Sequence, residues 1–310
     1  MEKDVFTNCR LCPRNCNVDR TQGEGFCKSG SEIKAARAAL HFYEEPFLSG
    51  VSGSGAIFFS GCSLQCIYCQ NKQISREGTG IIISVERLSE IFFELKDKGA
   101  RNINLVTGTH FTPVIAKAIE KAKTNGLDLP IIWNSSGYEY AETLKMLEGL
   151  VDIYLPDFKT LDSKIAQRYF KAVDYPERAK EALAQMVKAA GTMSFDTSEQ
   201  ARKEFEEEGL MQKGVCVRHL VTPGNGEDSK AVIQYLYETY GDDIWISVMS
   251  QYTPMEPYDL PELNEMVSEE EYEEIVDFAI DLGVTNCMIQ EGRAVGTSFI
   301  PEFNGEGIEK

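Results

Sequence analysis

The chain has 310 residues, 43% of them hydrophobic and 26% charged, a globular composition that excludes an intrinsically disordered chain. Its 31 Lys and Arg stand against 49 Asp and Glu, and the net charge of −18 excludes a protein that holds nucleic acid by neutralising phosphates. No apolar run approaches the about 20 residues of a bilayer span and Met1–Glu2–Lys3–Asp4 has no signal pattern, so the expectation is a soluble cytoplasmic protein with neither a nucleic-acid nor a membrane partner.

In that compartment nine cysteines read as metal or redox ligands before disulfides. Cys9, Cys12, Cys16 and Cys27 form the first group, in a stretch with little apolar pattern. Four thiolates can close a structural Zn2+ tetrahedron or hold an auxiliary iron–sulfur cluster, and both readings stand. Residues 1–50 therefore read as a Cys-rich metal-binding extension with a linker helix over 31–41. Residues 51–300 form the main domain, and 301–310, rich in Gly and charge, a flexible tail.

The main domain opens with the apolar strand Ala56–Ile57–Phe58–Phe59, a Ser60–Gly61 turn, and then Cys62, Cys66 and Cys69. Three thiolates within eight residues leave a structural zinc one ligand short. On a [4Fe–4S] cluster they leave one iron open to a substrate or cofactor. Ser84 caps a helix whose Leu88, Ile91, Phe92 and Leu95 recur on one face, ending at Gly99. Strands follow at 102–107, 130–133 and 151–155, separated by a helix that starts at Thr112 and Pro113 and by one over 140–149. Residues 160–190 are helical with a break at Pro176, and Ser198 caps a surface helix in the polar stretch 192–213. Strands at 215–220 and 244–248 flank a helix over 228–240. Residues 256–282 hold eleven acids and no Lys or Arg, a solvated face. Within them Ser268 and Glu271 make a capping box for a helix with Ile275, Val276, Ala279 and Ile280 inward, before a last strand at 286–289. Cys216 and Cys287 lie in apolar strands as small packed hydrophobes.

Alternating strands and helices require a parallel sheet with right-handed crossovers. Periodicity alone does not separate a barrel from an open doubly wound sheet. In a barrel, functional residues gather after the strands. Asp157 and Lys159, two apart, would then point the same way. Arg218 and His219 are adjacent, so only one can face inward.

The segment from Phe59 to Asn71 resembles the cluster loop of the radical S-adenosylmethionine (SAM) superfamily. Within it the chain resembles the PflX-type proteins, relatives of pyruvate formate-lyase activating enzyme. Cys9 to Cys27, Asn104–Phe111, Asn134–Glu139, Val151–Lys159, Arg218–Gly224 and Met249–Tyr252 carry the match through most of the chain. Gly108 departs from it, where relatives are expected to have Pro, and should loosen the turn.

The resemblance implies an α/β fold, a partial (β/α)6 TIM-like barrel with a small Cys-rich N-terminal extension. It implies a [4Fe–4S] cluster on Cys62, Cys66 and Cys69 that binds SAM through its open iron. Reductive cleavage of SAM to a 5′-deoxyadenosyl radical would then remove hydrogen from a substrate, a protein glycine being one target. A flavodoxin or ferredoxin would donate the electron, and a glycyl-radical enzyme would be the protein partner. Tyr68 would lie against adenine. Thr107 and Thr109 would receive the SAM amino group, with His110 either beside them or structural. Asn134 and Ser136 would meet ribose or methionyl groups. Asp157 and Lys159 would lie beside SAM, with Lys159 on its carboxylate, and Arg218 is a weaker member of the set. The alternative is an iron–sulfur electron-transfer or scaffold protein without SAM chemistry; a structural zinc protein is a third reading.

Overall fold

The computed structural model describes residues 2–205, 209–290 and 301–310. Ten strands form one sheet system: β1 (Ile33–His41), β2 (Ser54–Phe59), β3 (Ile81–Ile83), β4 (Ile103–Val106), β5 (Ile131–Ser135), β6 (Ile153–Pro156), β7 (Ser194–Asp196), β8 (Leu210–Leu220), β9 (Trp245–Met249) and β10 (Cys287–Ile289). Along the sheet the order is β10-β9-β8-β6-β5-β4-β2-β1-β3, with β7 added to β8. From β2 to β10 the neighbours are parallel. Every residue of β2, β4, β5, β6 and β9 is buried, as strands covered on both faces must be.

Six crossovers connect the parallel strands. Their helical parts are Val85–Asp97, Thr112–Thr124, Ala141–Leu144, the pair Ser163–Phe170 and Tyr175–Ala190, Gly226–Tyr240, and Glu269–Leu282. Local signals set their ends. The Ser84 side chain accepts from Arg87 N at 3.1 Å and Ser268 from Glu271 N at 3.0 Å. Glu271 does not return the second bond of a capping box, because its carboxylate accepts from Gly224 N at 2.9 Å. Thr112 is the first helical residue and not the cap.

The sheet is rolled. Glu44, just past β1, accepts from Arg218 of β8 at 3.2 Å, although β1 and β8 are five strand spacings apart along the sheet. In a flat sheet those spacings would separate the two strands by about 24 Å. The β1 and β8–β9 sides therefore face each other across a common interior, as the expected partial barrel requires.

Four expectations change. Residues 33–41 are strand β1 and not a helix, although Ala-rich. β1 pairs antiparallel with β2 on one side and β3 on the other, so tertiary pairing overrides local propensity. β3 and β7 had no sequence signal. Residues 301–310 do not hang free: Gly305 N donates to Ala36 O at 2.9 Å and Glu306 O accepts from Ala38 N at 2.8 Å, covering the edge of β1. Ile308 is fully buried. On helix Glu269–Leu282, Ile275 and Ala279 are buried, but Ile280 is exposed.

Candidate functional site

The three-cysteine loop leaves the buried end of β2 through Gly61 at φ +88°. A Cβ there would overlap Ser29 and the Cys27 carbonyl, so only glycine fits. Cys62 and Cys66 are buried and Cys69 partly so, and all three are free. Cys62 Sγ accepts from Leu64 N and Cys69 Sγ from the Ser75 hydroxyl, each at 3.4 Å. Burial pushes the Cys62 and Cys66 thiols up, and the nearby Lys159 ammonium works against that on both. Among the described residues, no three His, Cys, Asp or Glu converge on one metal-ion position. A [4Fe–4S] cluster takes each thiolate on a different iron, so the three free thiols of this loop match the donor set that leaves one iron open.

A cavity of about 250 Å³ lies beside this loop. Cys66, Tyr68 and Cys69 line it from the loop, with Asn134, Asp157, Lys159 and Arg218 from the ends of β5, β6 and β8. Lys159 Nζ donates to Asp157 at 2.8 Å, and Arg218 Nε donates to the other Asp157 oxygen at 3.0 Å. The remaining Arg218 bonds go to Glu44 at 3.2 Å and Asn134 at 2.6 Å. The Asp157 and Lys159 side chains are only 20% and 11% exposed, so this is no surface pair. Burial would raise the Asp157 carboxyl, but Lys159 and then Arg218 hold it below the usual range. Burial also opposes charge on Lys159, yet Asp157 and Cys66 hold its ammonium well above the ordinary lysine range. Tyr175 OH accepts from Lys159 N at 3.0 Å and has the Ser136 and Asp157 carbonyls at the same distance, fixing the turn after β6. Tyr68 packs edge-on against Tyr169, Phe170 and Tyr252.

The structure thus brings together Tyr68, Asn134, Asp157, Lys159 and Arg218. Thr107, Thr109 and Ser136 are not among the residues lining the cavity. Thr109 is buried and donates to Glu139 at 2.9 Å; Trp133 Nε1 (3.0 Å) and Ser135 Oγ (2.5 Å) bond the same carboxylate. Thr107 has φ +61°, a strained conformation for a β-branched residue, at the end of β4. At Gly108 a Cβ would come within 2.9 Å of the Trp133 ring and 2.7 Å of Ile115, so the packing leaves little room for the expected Pro. His110 is structural: Nε2 bonds Ser60 O at 2.8 Å, and burial with Arg20 holds its pKa down to about 3. His219 faces away from Arg218 and bonds Phe158 O and Ser229.

Sequence reasoning missed His41 and Glu44, and gave no site role to Met249 and Gln251 of the matched segment 249–252; all four also line the cavity. The signal for Glu44 was the acidic pair Glu44–Glu45 set between apolar residues and Pro46.

Cys12 lies near Cys27, Cys9 and Cys16, and the Cys27 and Cys16 sulfurs flank Gly25. Burial is the main cause that pushes Cys12 up to about 12. Arg20, 2% exposed, lies 3.6 Å from Cys9 Sγ and donates to the carbonyls of Ser29, Gly30 and His110.

A model of the radical SAM superfamily matches residues 56–236. The uncharacterized protein MJ0674 of Methanocaldococcus jannaschii is 27% identical over 285 residues, covering 89% of this chain and 75% of its own. Among solved structures, Streptococcus suis SuiB bound to S-adenosylmethionine matches with TM-score 0.45 and 15% identity, over 74% of this chain and 45% of SuiB. Native anSMEcpe with bound AdoMet matches with TM-score 0.43 and 15% identity, over 76% of this chain and 59% of its own. The chain thus spans about half the length of these two proteins. No helix of the described residues is long and apolar enough to cross a membrane.

Proposed function

The chain belongs to the radical SAM superfamily, and we propose that Cys62, Cys66 and Cys69 hold its [4Fe–4S] cluster, that SAM occupies the adjoining cavity, and that the product radical takes hydrogen from an organic substrate. When bound, cluster and SAM together supply a 5′-deoxyadenosyl radical, as one electron from a flavodoxin- or ferredoxin-type donor breaks the sulfonium C–S bond and releases methionine. The observation that carries the reading is the buried Asp157–Lys159–Arg218 network beside Cys66 in one cavity.

The chain's own residues then divide the work. Lys159 Nζ bonds Asp157 and has two donors left for the methionyl carboxylate. Arg218 gives three of its five N–H donors to Asp157, Glu44 and Asn134, so it sets the wall of the cavity. The Tyr68 ring offers a face of the cavity for adenine. Cytoplasmic placement belongs to the same reading. The motif resemblance to glycyl-radical activases supports a protein glycine as target and a glycyl-radical enzyme as partner.

The N-terminal cysteines enter the proposal as a second metal site, an auxiliary iron–sulfur cluster or a structural Zn2+, and for the single ion the four thiols would have to draw in from their present positions. Among the described residues no carboxylate pairs with the buried Arg20, so ionised thiolates are its natural counter-charge.

Anaerobic reconstitution of Cys66→Ala tests the cluster assignment. Loss of the [4Fe–4S] absorption and reduced-cluster resonance is expected. Retention of both at wild-type iron content would contradict it.

A further inference from the structure

A second cavity, of about 240 Å³, adjoins the first. Glu44, Arg218, Met249 and Gln251 line both, so the Arg218–Glu44 pair is the partition between them. Beyond that partition lies Glu45, which lines the second chamber only. Strand alternation in β9 turns Ser247 and Met249 to the same side, and Met288, Ile289 and Pro46 add apolar wall.

Glu45 is the unusual group. It is 8% exposed, and its Oε2 is buried without a hydrogen-bond partner. Charges around the partition do not balance. Among the described residues lining these chambers, Asp157, Glu44 and Glu45 are three carboxylates, while Lys159 and Arg218 are two cations. Lys159 is engaged by Asp157, and Arg218 by Asp157 and Glu44. Burial pushes the Glu45 carboxyl up, with Arg218 opposing and Glu44 adding to the rise. Among the described residues, a buried carboxylate in this position lacks one cation. The thioethers of Met249 and Met288 suit a flexible aliphatic stem.

We propose that this chamber binds a primary ammonium on an unbranched aliphatic stem, with Glu45 as its counter-charge and Ser247 as a hydrogen-bond acceptor, and that the group belongs to the substrate. The ammonium comes either from a free alkylamine or from a lysine side chain of a protein segment. Calling the ligand a substrate rests on the radical SAM reading; the binding itself does not.

The test uses full-length, cluster-loaded protein with SAM present. Binding of n-butylammonium is compared with n-butanol and butyrate, and N-acetyl-lysine methylamide with its norleucine counterpart, by calorimetry. The ammonium probe is expected to bind at least about 10-fold more tightly than its neutral counterpart, the low end for a charge-assisted bond. Glu45→Gln should remove that preference, while Asp128→Asn, a change at a surface ion pair with Lys96, should keep it. Preference for the lysine amide over butylammonium assigns a protein segment, and the reverse assigns a free amine. Equal binding of butanol and butylammonium, no binding of any probe, or an unchanged preference in Glu45→Gln overturns the proposal. Should Glu45→Gln fail to fold, Ser247→Ala and the wild-type charge comparison decide. Amine binding without 5′-deoxyadenosine formation would sink the radical SAM reading alone, and the converse would sink the chamber alone.

Discussion

Cys27 and Cys62 are joined backbone to backbone: the Cys27 carbonyl accepts from Cys62 N at 3.1 Å. The last N-terminal cysteine thus positions the first cysteine of the three-cysteine loop. Arg14 strengthens the link, donating to Ser63 O at 2.7 Å and Leu64 O at 3.0 Å, and also to the carbonyls of Phe170 and Lys171. Gln65 reaches back to Phe26 O at 2.5 Å. The Cys-rich extension is therefore part of the loop's scaffold.

Deleting residues 1–30 should therefore cost the three-cysteine loop its proposed iron–sulfur cluster as well as lowering stability. Iron per chain after anaerobic reconstitution is the measurement. A truncated protein that melts lower but keeps the full iron content would contradict this.

Glu139 should matter to the frame without lining the cavity. Its carboxylate takes three buried donors, from Thr109, Trp133 and Ser135. Glu139→Ala strands all three, each at a cost of about 1–3 kcal/mol, so chemical denaturation should show a loss of at least about 3 kcal/mol. Glu139→Gln should recover most of it, because the amide oxygen still accepts and Ser135 can turn to accept. A loss under about 1 kcal/mol for the alanine variant would contradict this.

His110 gives a pH signature. Its folded pKa is lowered to about 3, chiefly by burial. Between that value and about 6.5 the unfolded chain holds a proton that the folded chain does not, so this residue's contribution to stability falls as pH falls. The limiting slope is about 1.4 kcal/mol per pH unit for one group. His110→Gln, which can still donate to Ser60 O, should lose less stability than wild type between pH 6.5 and 5. Parallel stability–pH curves for the two would show that His110 titrates normally.

How much of this was legible is uneven. The parallel strands and their helices were readable because buried strands are apolar runs and their helices carry caps, as at Ser84. β1 was not, because Ile33–His41 is Ala-rich and its strand state depends on the distant edges of β2 and β3. That misreading hid Glu44, whose partner Arg218 is 174 residues away. Gly108 shows the same limit, since its requirement is the Trp133 ring and not its own turn. Asp157, Lys159 and Arg218 were legible from spacing and resemblance. That Lys159 pairs with Asp157, and that Thr109 serves Glu139, needed the third dimension.

Lys159→Met keeps the aliphatic stem and removes the charge. Loss of a bond to a charged group is worth about 1.5–3 kcal/mol, so SAM affinity should fall roughly 10- to 150-fold. The cluster should survive, while melting should also drop, because Asp157 keeps only Arg218 as its counter-charge. Unchanged SAM affinity with an intact cluster would remove Lys159 from the SAM site.

The central claim is reductive SAM cleavage at the three-cysteine loop. Reduced, cluster-loaded wild-type protein incubated anaerobically with SAM should release methionine and 5′-deoxyadenosine in equal amounts, and Cys66→Ala should release neither. A reduced wild-type cluster that leaves SAM intact, or cleavage that persists in Cys66→Ala, would contradict the account.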